Sequence, residues 1–262
     1  MKIDRRGFLK IGGLSMLGLA AKPVINVVSK GELSEASTHA RTSTGKRLAM
    51  VIDMKKCKEG CTDCIDACHN IHNVPDFKNR KDEIKWIWNE PYEKAFPSQE
   101  HEFIGNDFKE KPFLVLCNHC DNPPCVRVCP TKATFKREDG IVLMDYHRCI
   151  GCRFCMAACP YGSRSFNWRN PRGQDSAGGS FIKKIDKNFP TRTTGVVEKC
   201  NLCAERLAKG LIPKCAEVCK EKAIVFGDLE ETDSGLREVL RSHYTIRRKP
   251  GLGTRPQIYY IV

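Results

Sequence analysis

Sixteen cysteines are the residues of this 262-residue chain whose type and spacing could do chemistry. They fall into four sets of four, and every set ends with two cysteines separated by three residues. The sets are Cys57, Cys61, Cys64 and Cys68; Cys117, Cys120, Cys125 and Cys129; Cys149, Cys152, Cys155 and Cys159; and Cys200, Cys203, Cys215 and Cys219. Because thiolates crowded in this way bind metals, cysteine chemistry is expected to organise the fold.

The third set indicates which metal group is bound. Residues 149–160 read C-x2-C-x2-C-x3-C-P, the run in which three thiolates hold one [4Fe-4S] cluster and the fourth reaches a neighbouring cluster. The second set has a longer middle spacer but keeps a proline, Pro130, after its last cysteine. The first set has a longer loop between its first two cysteines, and Gly60 supplies the backbone freedom that this loop needs. In the fourth set, eleven residues separate the two middle cysteines. The spacing predicts [4Fe-4S] clusters.

Three other kinds of cysteine site fit less well. A structural zinc ion takes four ligands and gives no reason for a further cysteine two or three residues on. A disulfide framework would spread its cysteines along the chain. Covalent haem needs C-x-x-C-H, and the nearest approach, Cys64-x3-Cys68-His69, has one residue too many. A zinc-dependent nucleic-acid-binding protein is kept as an alternative that an iron and sulfide assay excludes.

The formal charge of +13 suggests nucleic acid or an anionic membrane as a partner. Four thiolates around an oxidised cluster core leave a charge of about −2, so four clusters contribute roughly −8. The basic residues are therefore explained as internal compensation for the clusters, and no nucleic-acid partner is expected.

The first forty residues resemble a twin-arginine export signal. Arg5-Arg6-Gly7-Phe8-Leu9-Lys10 fits its pattern, although Asp4 stands where Ser or Thr is usual. The mildly apolar stretch at residues 11–21 is shorter than the roughly 20 residues that cross a bilayer, which makes a permanent membrane helix the weaker alternative. Two positions are candidates for cleavage, near Ala20-Ala21 and after Thr38-His39-Ala40, and the sequence leaves open whether the signal is removed or stays as an anchor. This export route carries folded proteins, which suits a chain that receives its clusters in the cytoplasm.

Short strand-like stretches accompany the cysteine sets and predict an α+β fold with a repeated β-α-β rhythm. They lie at residues 48–54, 113–116, 141–144, 196–197 and 224–226. A helical turn is expected from Ala204 to Lys209, ended by Gly210. Such modules have little apolar core, so cluster loading and folding are expected to be inseparable.

A charged segment, residues 76–111, separates the first two sets and contains Trp86 and Trp88. We expect a solvent-exposed excursion whose tryptophans cover a cluster, with a docking surface for a redox partner as the alternative. Four histidines near the sets are expected to hydrogen-bond around the clusters, because the cysteines already complete the ligand count. They are His69, His72, His119 and His147.

These motifs resemble the four-cluster ferredoxin subunits shared by molybdopterin oxidoreductases and membrane quinone-linked complexes. The likeness begins near residue 45 and includes the segments 223–229 and 253–260. Residues 67–75, ACHNIHNVP, and 85–88, KWIW, look most like the DsrO (Hme) group, the exported iron–sulfur subunits of DsrMKJOP complexes in sulfur-metabolising microbes.

The resemblance implies two nested bacterial-ferredoxin-like modules (tandem 4Fe-4S domains) with loop insertions. Residues 45–75 with 196–230 form the outer module and 112–168 the inner one. Residues 76–111 are an insertion, 169–195 a connecting loop and 231–262 a C-terminal tail.

The resemblance also implies four [4Fe-4S] clusters in two crosswise pairs. The implied groups are Cys57, Cys61 and Cys64 with Cys219; Cys200, Cys203 and Cys215 with Cys68; Cys117, Cys120 and Cys125 with Cys159; and Cys149, Cys152 and Cys155 with Cys129.

No dinucleotide fingerprint, P-loop or activated nucleophile is present, so the chain is interpreted as an electron-transfer subunit rather than an enzyme. By resemblance its partners are an integral membrane quinone-interacting subunit and a periplasmic multihaem cytochrome, and the chain would be periplasmic. The same subunit in a molybdopterin reductase or nitrite-reductase-type complex is the alternative.

Overall fold

The computed structural model describes residues 45–262; the predicted export signal at residues 1–40 lies outside them. The described strands are β1 Leu48–Asp53, β2 Ile87–Pro91, β3 Pro112–Leu116, β4 Thr134–Lys136, β5 Val142–Met144, β6 Ser165–Phe166, β7 Val197–Glu198, β8 Ile224–Asp228, β9 Thr245–Ile246 and β10 Ile258–Ile261. The described helices are α1 Asp63–Ile71, α2 Tyr92–Ala95, α3 Asn106–Glu110, α4 Pro124–Arg127, α5 Phe154–Ala157, α6 Ala204–Leu207, α7 Lys214–Glu217 and α8 Gly235–Ser242. Within residues 45–262, no helix has the length and apolar character needed to cross a bilayer.

The largest sheet joins the two ends of the described chain. Its strand order is β8-β1-β10-β9, with β10 parallel to β1 and the other pairs antiparallel. Three two-stranded antiparallel sheets, β2-β3, β4-β5 and β6-β7, lie along the rest of the chain. Helices and strands are thus mixed, which confirms the α+β prediction at the coarse level, while the nesting of two modules stays a prediction.

The strand β1 is apolar from Leu48 to Ile52, as expected of a strand whose two faces are both buried. Met50 and Ile52 point into the main core, and Ala49 and Val51 point into a smaller core that Leu236 of α8 completes. The C-terminal segment, expected to be a tail, supplies β10 beside β1 and the helix α8 over this smaller core. It is an integral part of the fold.

The segment 76–111 differs most from expectation. Trp86 and Phe96 are fully buried, Trp88 is 8% exposed, and β2 pairs with β3 along its whole length. Its apolar residues form a large part of the main core, so the expectation of a solvent-exposed excursion was wrong, and its tryptophans do not form an exposed docking surface. The physical reason is that clustered aromatic side chains bury a large apolar area, which outweighs the charges around them.

The connecting loop meets the third cysteine set at Gly151. This glycine has φ of +70°, and a Cβ atom at this position would overlap the carbonyl oxygen of Gly195. Both the backbone conformation and the close approach therefore require glycine here.

Replacing Gly151 with alanine is expected to destabilise the iron-loaded chain more than the matched change Gly162→Ala. Gly162 also has a positive φ, +64°, but has open space around it. Gly162→Ala should therefore cost only the left-handed backbone penalty of about 1–2 kcal/mol. Thermal unfolding of both variants measures the difference, and equal losses would contradict the close approach.

Candidate metal centre

The structure brings the sixteen cysteines into four groups, and each group takes three cysteines from one set and one from another. Site A contains Cys57, Cys61, Cys64 and Cys219, which line a cleft of about 420 Å³. Site C contains Cys117, Cys120, Cys125 and Cys159, and site D contains Cys129, Cys149, Cys152 and Cys155; each group lines one cavity. Site B contains Cys200, Cys203, Cys215 and Cys68. Burial is the largest cause that raises the pKa of Cys68, and the negative charges of the other three thiolates raise it further.

One helical turn connects neighbouring sites. Cys64 and Cys68 lie four residues apart on α1, so their side chains share one face of the helix, yet they belong to sites A and B. The other three sets end in the same C-x3-C spacing, with the first cysteine in α4, α5 or α7 and the second just beyond it. These turns join site C to site D twice and site B to site A once more.

The four sites follow one another in the order A, B, C, D. Burial raises the pKa of Cys200 in site B to about 12; Lys199 opposes this shift, and Cys117 of site C adds to it. Sites B and C are therefore neighbours across the two predicted modules, and sites A and D are the ends of the row.

Backbone N–H groups point at the sulfur atoms, as a cluster-binding loop requires. Donor–sulfur distances are 3.3 Å from Ala223 to Cys219 and 3.4 Å from Thr134 to Cys129. Two residues of the fourth set do the same at 3.4 Å, Leu202 to Cys200 and Lys214 to Cys203. The φ of +74° at Gly60 confirms the backbone freedom expected in the first loop.

The surroundings of Arg164 indicate whether negatively charged clusters fit sites C and D. Its side chain lines the site C cavity and is buried, Nη1 donates to Thr134 Oγ1 at 3.1 Å, and the buried Nη2 has no acceptor among the described residues. Burial opposes its charge, but the thiolates of Cys125 and Cys155 outweigh burial and raise the pKa of Arg164. The positive charge of Arg164 and its unused Nη2 donor, beside two cysteine groups, suit a negatively charged cluster whose sulfides accept hydrogen bonds.

Lys199 is a second buried cation, at the junction of sites B and C. Its Nζ donates to the carbonyl oxygens of Val142 and Cys200, the latter at 2.6 Å, and no carboxylate of the described residues pairs with it. An unpaired buried ammonium is costly unless negative charge lies nearby. Clusters held by these sites would supply that charge, and their chemistry would be one-electron exchange.

Of the four histidines, His72 contacts a site cysteine. Its Nδ1 lies 3.5 Å from Cys68 Sγ, and its Nε2 lies 2.8 Å from a carboxylate oxygen of Glu205. His119 bonds the backbone N–H of Val142 instead, while His147 is exposed. The expected hydrogen-bonding role therefore has structural support at His72, and contact with a site sulfur is not observed for His119 or His147.

A buried wall closes site B on the side of His72. Trp86 stacks on His72 with ring centroids 4.5 Å apart and donates to Glu198 at 2.9 Å. Arg192 pairs with Glu198 at 2.5 Å, both side chains being fully buried, and also donates to the carbonyl oxygen of His72. This places a tryptophan of the segment 76–111 next to a cysteine site and keeps water away from it.

The C-terminal segment fastens the loop of site C. Asp121 and Asn122 donate their backbone N–H groups to the carbonyl oxygens of Arg255 and Thr254, at 2.9 and 3.0 Å. The Tyr161 hydroxyl, next to Cys159 and Pro160, meets the Thr254 hydroxyl.

Sequence reasoning missed Arg164, Lys199 and the Arg192–Glu198 pair. The sequence offered one signal for Lys199, namely that it directly precedes Cys200. The chain offers more than forty lysines and arginines, and nothing in the sequence separates the buried ones from the rest.

Comparison with known proteins gives a consistent result. The family model described as a 4Fe-4S dicluster domain matches residues 111–175 and 185–229. The chain is 35% identical to the Hdr-like menaquinol oxidoreductase iron-sulfur subunit 1 of Archaeoglobus fulgidus, over 98% of this chain and 97% of that protein. It is 35% identical to the menaquinone reductase iron-sulfur cluster-binding subunit of Nitratidesulfovibrio vulgaris (81% and 87%) and 32% identical to a tetrathionate reductase subunit of Salmonella typhimurium (100% and 89%).

Replacing Cys219 with alanine should disturb the cluster expected at Cys57, Cys61 and Cys64. In electron paramagnetic resonance, Cys219→Ala and Cys57→Ala should lose the same signal, because both remove a ligand from site A. Cys129→Ala is the matched control, since it removes the last cysteine of another set and should affect site D. An intact site A signal in Cys219→Ala would refute the crosswise grouping.

Replacing Arg164 with methionine should lower the reduction potentials at sites C and D together. The change removes a buried positive charge that favours the more negative, reduced form at both sites. Arg164→Lys keeps the charge and should lower them less. Potentiometric titration followed by electron paramagnetic resonance measures all four potentials; a uniform shift that includes sites A and B would argue against a local role.

Proposed function

Because the chain belongs to the iron–sulfur electron-transfer subunits of quinone-linked oxidoreductase complexes, we propose that it binds four [4Fe-4S] clusters, one at each of sites A to D, and relays single electrons along them. The observation that carries this proposal is the gathering of all sixteen cysteines into four groups of four. The chain's own part is to fix the sulfurs, exclude water and supply the buried charges of Lys199 and Arg164.

The complex we propose is of the DsrMKJOP type, with the chain in the position of DsrO. The supporting features are the ACHNIHNVP and KWIW segments at residues 67–75 and 85–88. The first of these contains His72 and the second Trp86, whose rings stack beside site B. The proposed partners are an integral membrane quinone-interacting subunit and a periplasmic multihaem cytochrome.

The proposed location is the periplasm, reached by twin-arginine export. Arg5 and Arg6 support this proposal, as does the need to insert clusters before a folded chain is exported.

A second candidate function is the same relay in a reductase for a sulfur oxyanion. The likeness to the tetrathionate reductase subunit, which extends over the whole of this chain, favours it. A molybdopterin-containing catalytic subunit would then be the partner.

Anaerobic purification of the native assembly tests both functions. We expect about sixteen iron and sixteen acid-labile sulfide atoms per chain, together with a membrane subunit and a multihaem cytochrome. A co-purified molybdenum subunit would instead support the second function. A colourless, metal-free and compactly folded chain would refute the relay itself.

A further inference from the structure

Large apolar side chains are exposed around site D, at one end of the row. Ile150 is 67% exposed, Phe154 59% and Trp168 51%. Ile150 follows Cys149, and Phe154 stands between Cys152 and Cys155. Single exposed apolar residues are ordinary, but a group of them around one site is typical of an interaction surface.

Arg153 organises this surface. Its guanidinium lies 4.8 Å from the ring centroid of Trp168 and 5.5 Å from that of Phe166. The two rings meet edge to face at 4.5 Å, and Phe166 is held in place by the pairing of β6 with β7. The half-exposed tryptophan is therefore fixed before any partner arrives, and a fixed Trp–Arg pair loses little conformational entropy on binding. We call Ile150, Arg153, Phe154 and Trp168 the D patch.

The charges around site D are mainly positive; the acidic residue nearest to its cysteines in sequence is Asp145, which pairs with Arg148 at 3.3 Å. Exposed basic residues lie within three positions of its cysteines, and no aspartate or glutamate does. The basic residues are Arg127, Lys132, Arg148 and Arg153. The cleft of site A is different, because it is lined by both signs, including Lys58, Glu59, Lys220 and Glu221.

We propose that the D patch is the docking surface for a one-electron carrier protein whose contact face has an apolar centre and a rim of aspartate and glutamate. This inference rests on the relay function proposed above. Charge complementarity selects the acidic partner, and the apolar residues supply the contact that remains when salt screens the charges. The reduced carrier loses one electron and the chain gains it at site D, with no bond formed or broken and no proton transferred.

Stopped-flow reduction of the cluster-loaded full chain tests the proposal, with a photoreduced plant-type ferredoxin as the acidic carrier and dithionite as a small reductant. Arg153→Glu should lower the second-order rate with ferredoxin by about tenfold at low ionic strength, and the deficit should shrink in about 0.5 M salt. Trp168→Ser should lower the rate at both salt concentrations. With dithionite, Trp168→Ser should match the unchanged chain and Arg153→Glu should lose much less than it does with ferredoxin, because this small anion has no extended acidic face.

Arg241→Glu is the charge-matched control. Arg241 is exposed on α8, which packs on β8 and β1, and its variant should keep the ferredoxin rate within twofold. Equal losses in Arg241→Glu and Arg153→Glu would overturn the proposal, because the effect would then reflect net charge alone. Unchanged rates in both D patch variants would overturn it as well.

Two further measurements separate carrier docking from cluster loss and from self-association. If Arg153→Glu loses iron, Arg153→Gln takes its place, with an expected loss of about threefold at low salt. Sedimentation of the unchanged chain reports self-association, and a dimer that Trp168→Ser abolishes would assign the D patch to a second copy instead. If dithionite reduces no cluster in the unchanged chain, the relay function fails. If dithionite reduces the clusters but the D patch variants react with ferredoxin as fast as the unchanged chain, only the docking proposal fails.

Discussion

One turn of helix between two cysteines is the constraint on which the rest of the structure depends. An α-helix rises about 5.4 Å per turn, so a C-x3-C pair places two sulfurs on one face a fixed distance apart. In this chain the two sulfurs belong to neighbouring sites, as with Cys64 and Cys68 on α1. The spacing between sites is therefore set by backbone geometry, and no such helix can move without disturbing two sites.

Charge is the second constraint, and it separates the buried cations into two kinds. Arg192 has a buried carboxylate partner, Glu198, so their charges cancel and the pair fastens a loop over site B. Lys199 and Arg164 have no carboxylate partner among the described residues, and each lies where two sites meet. Isolated buried charge is unfavourable unless it faces the opposite sign. The burial of these two positive charges is accordingly favourable only once the sites are loaded, which ties folding to metal binding.

Local features of the fold were predictable from the sequence, and features made by distant segments were not. The cysteine sets and strands such as β1 follow from spacing and apolar runs that a short window contains. The parallel pairing of β1 with β10 joins residues about 200 positions apart, and no local pattern predicts it. The burial of the segment 76–111 was missed because many of its residues are charged, whereas Trp86 lies beside a cysteine site as expected, with its ring stacked on His72. The grouping of Cys68 with Cys200 came from resemblance and stays a prediction; in the described residues the charge of Cys200 helps to raise the pKa of Cys68, after burial.

The surfaces at sites A and D, the two ends of the row, differ in charge and polarity, although the cysteine motifs of the two sites are similar. Site A opens into a cleft of mixed charge in which Lys220 pairs with Asp63 at 3.2 Å, so its surface is electrically balanced. Site D has four exposed basic residues close to its cysteines, of which Arg148 pairs with Asp145, and an apolar surface fixed by Arg153. A partner that fits one end is a poor match for the other, because burying unpaired like charges is costly. Two different partners can therefore bind one chain in a fixed orientation, as a relay between them requires.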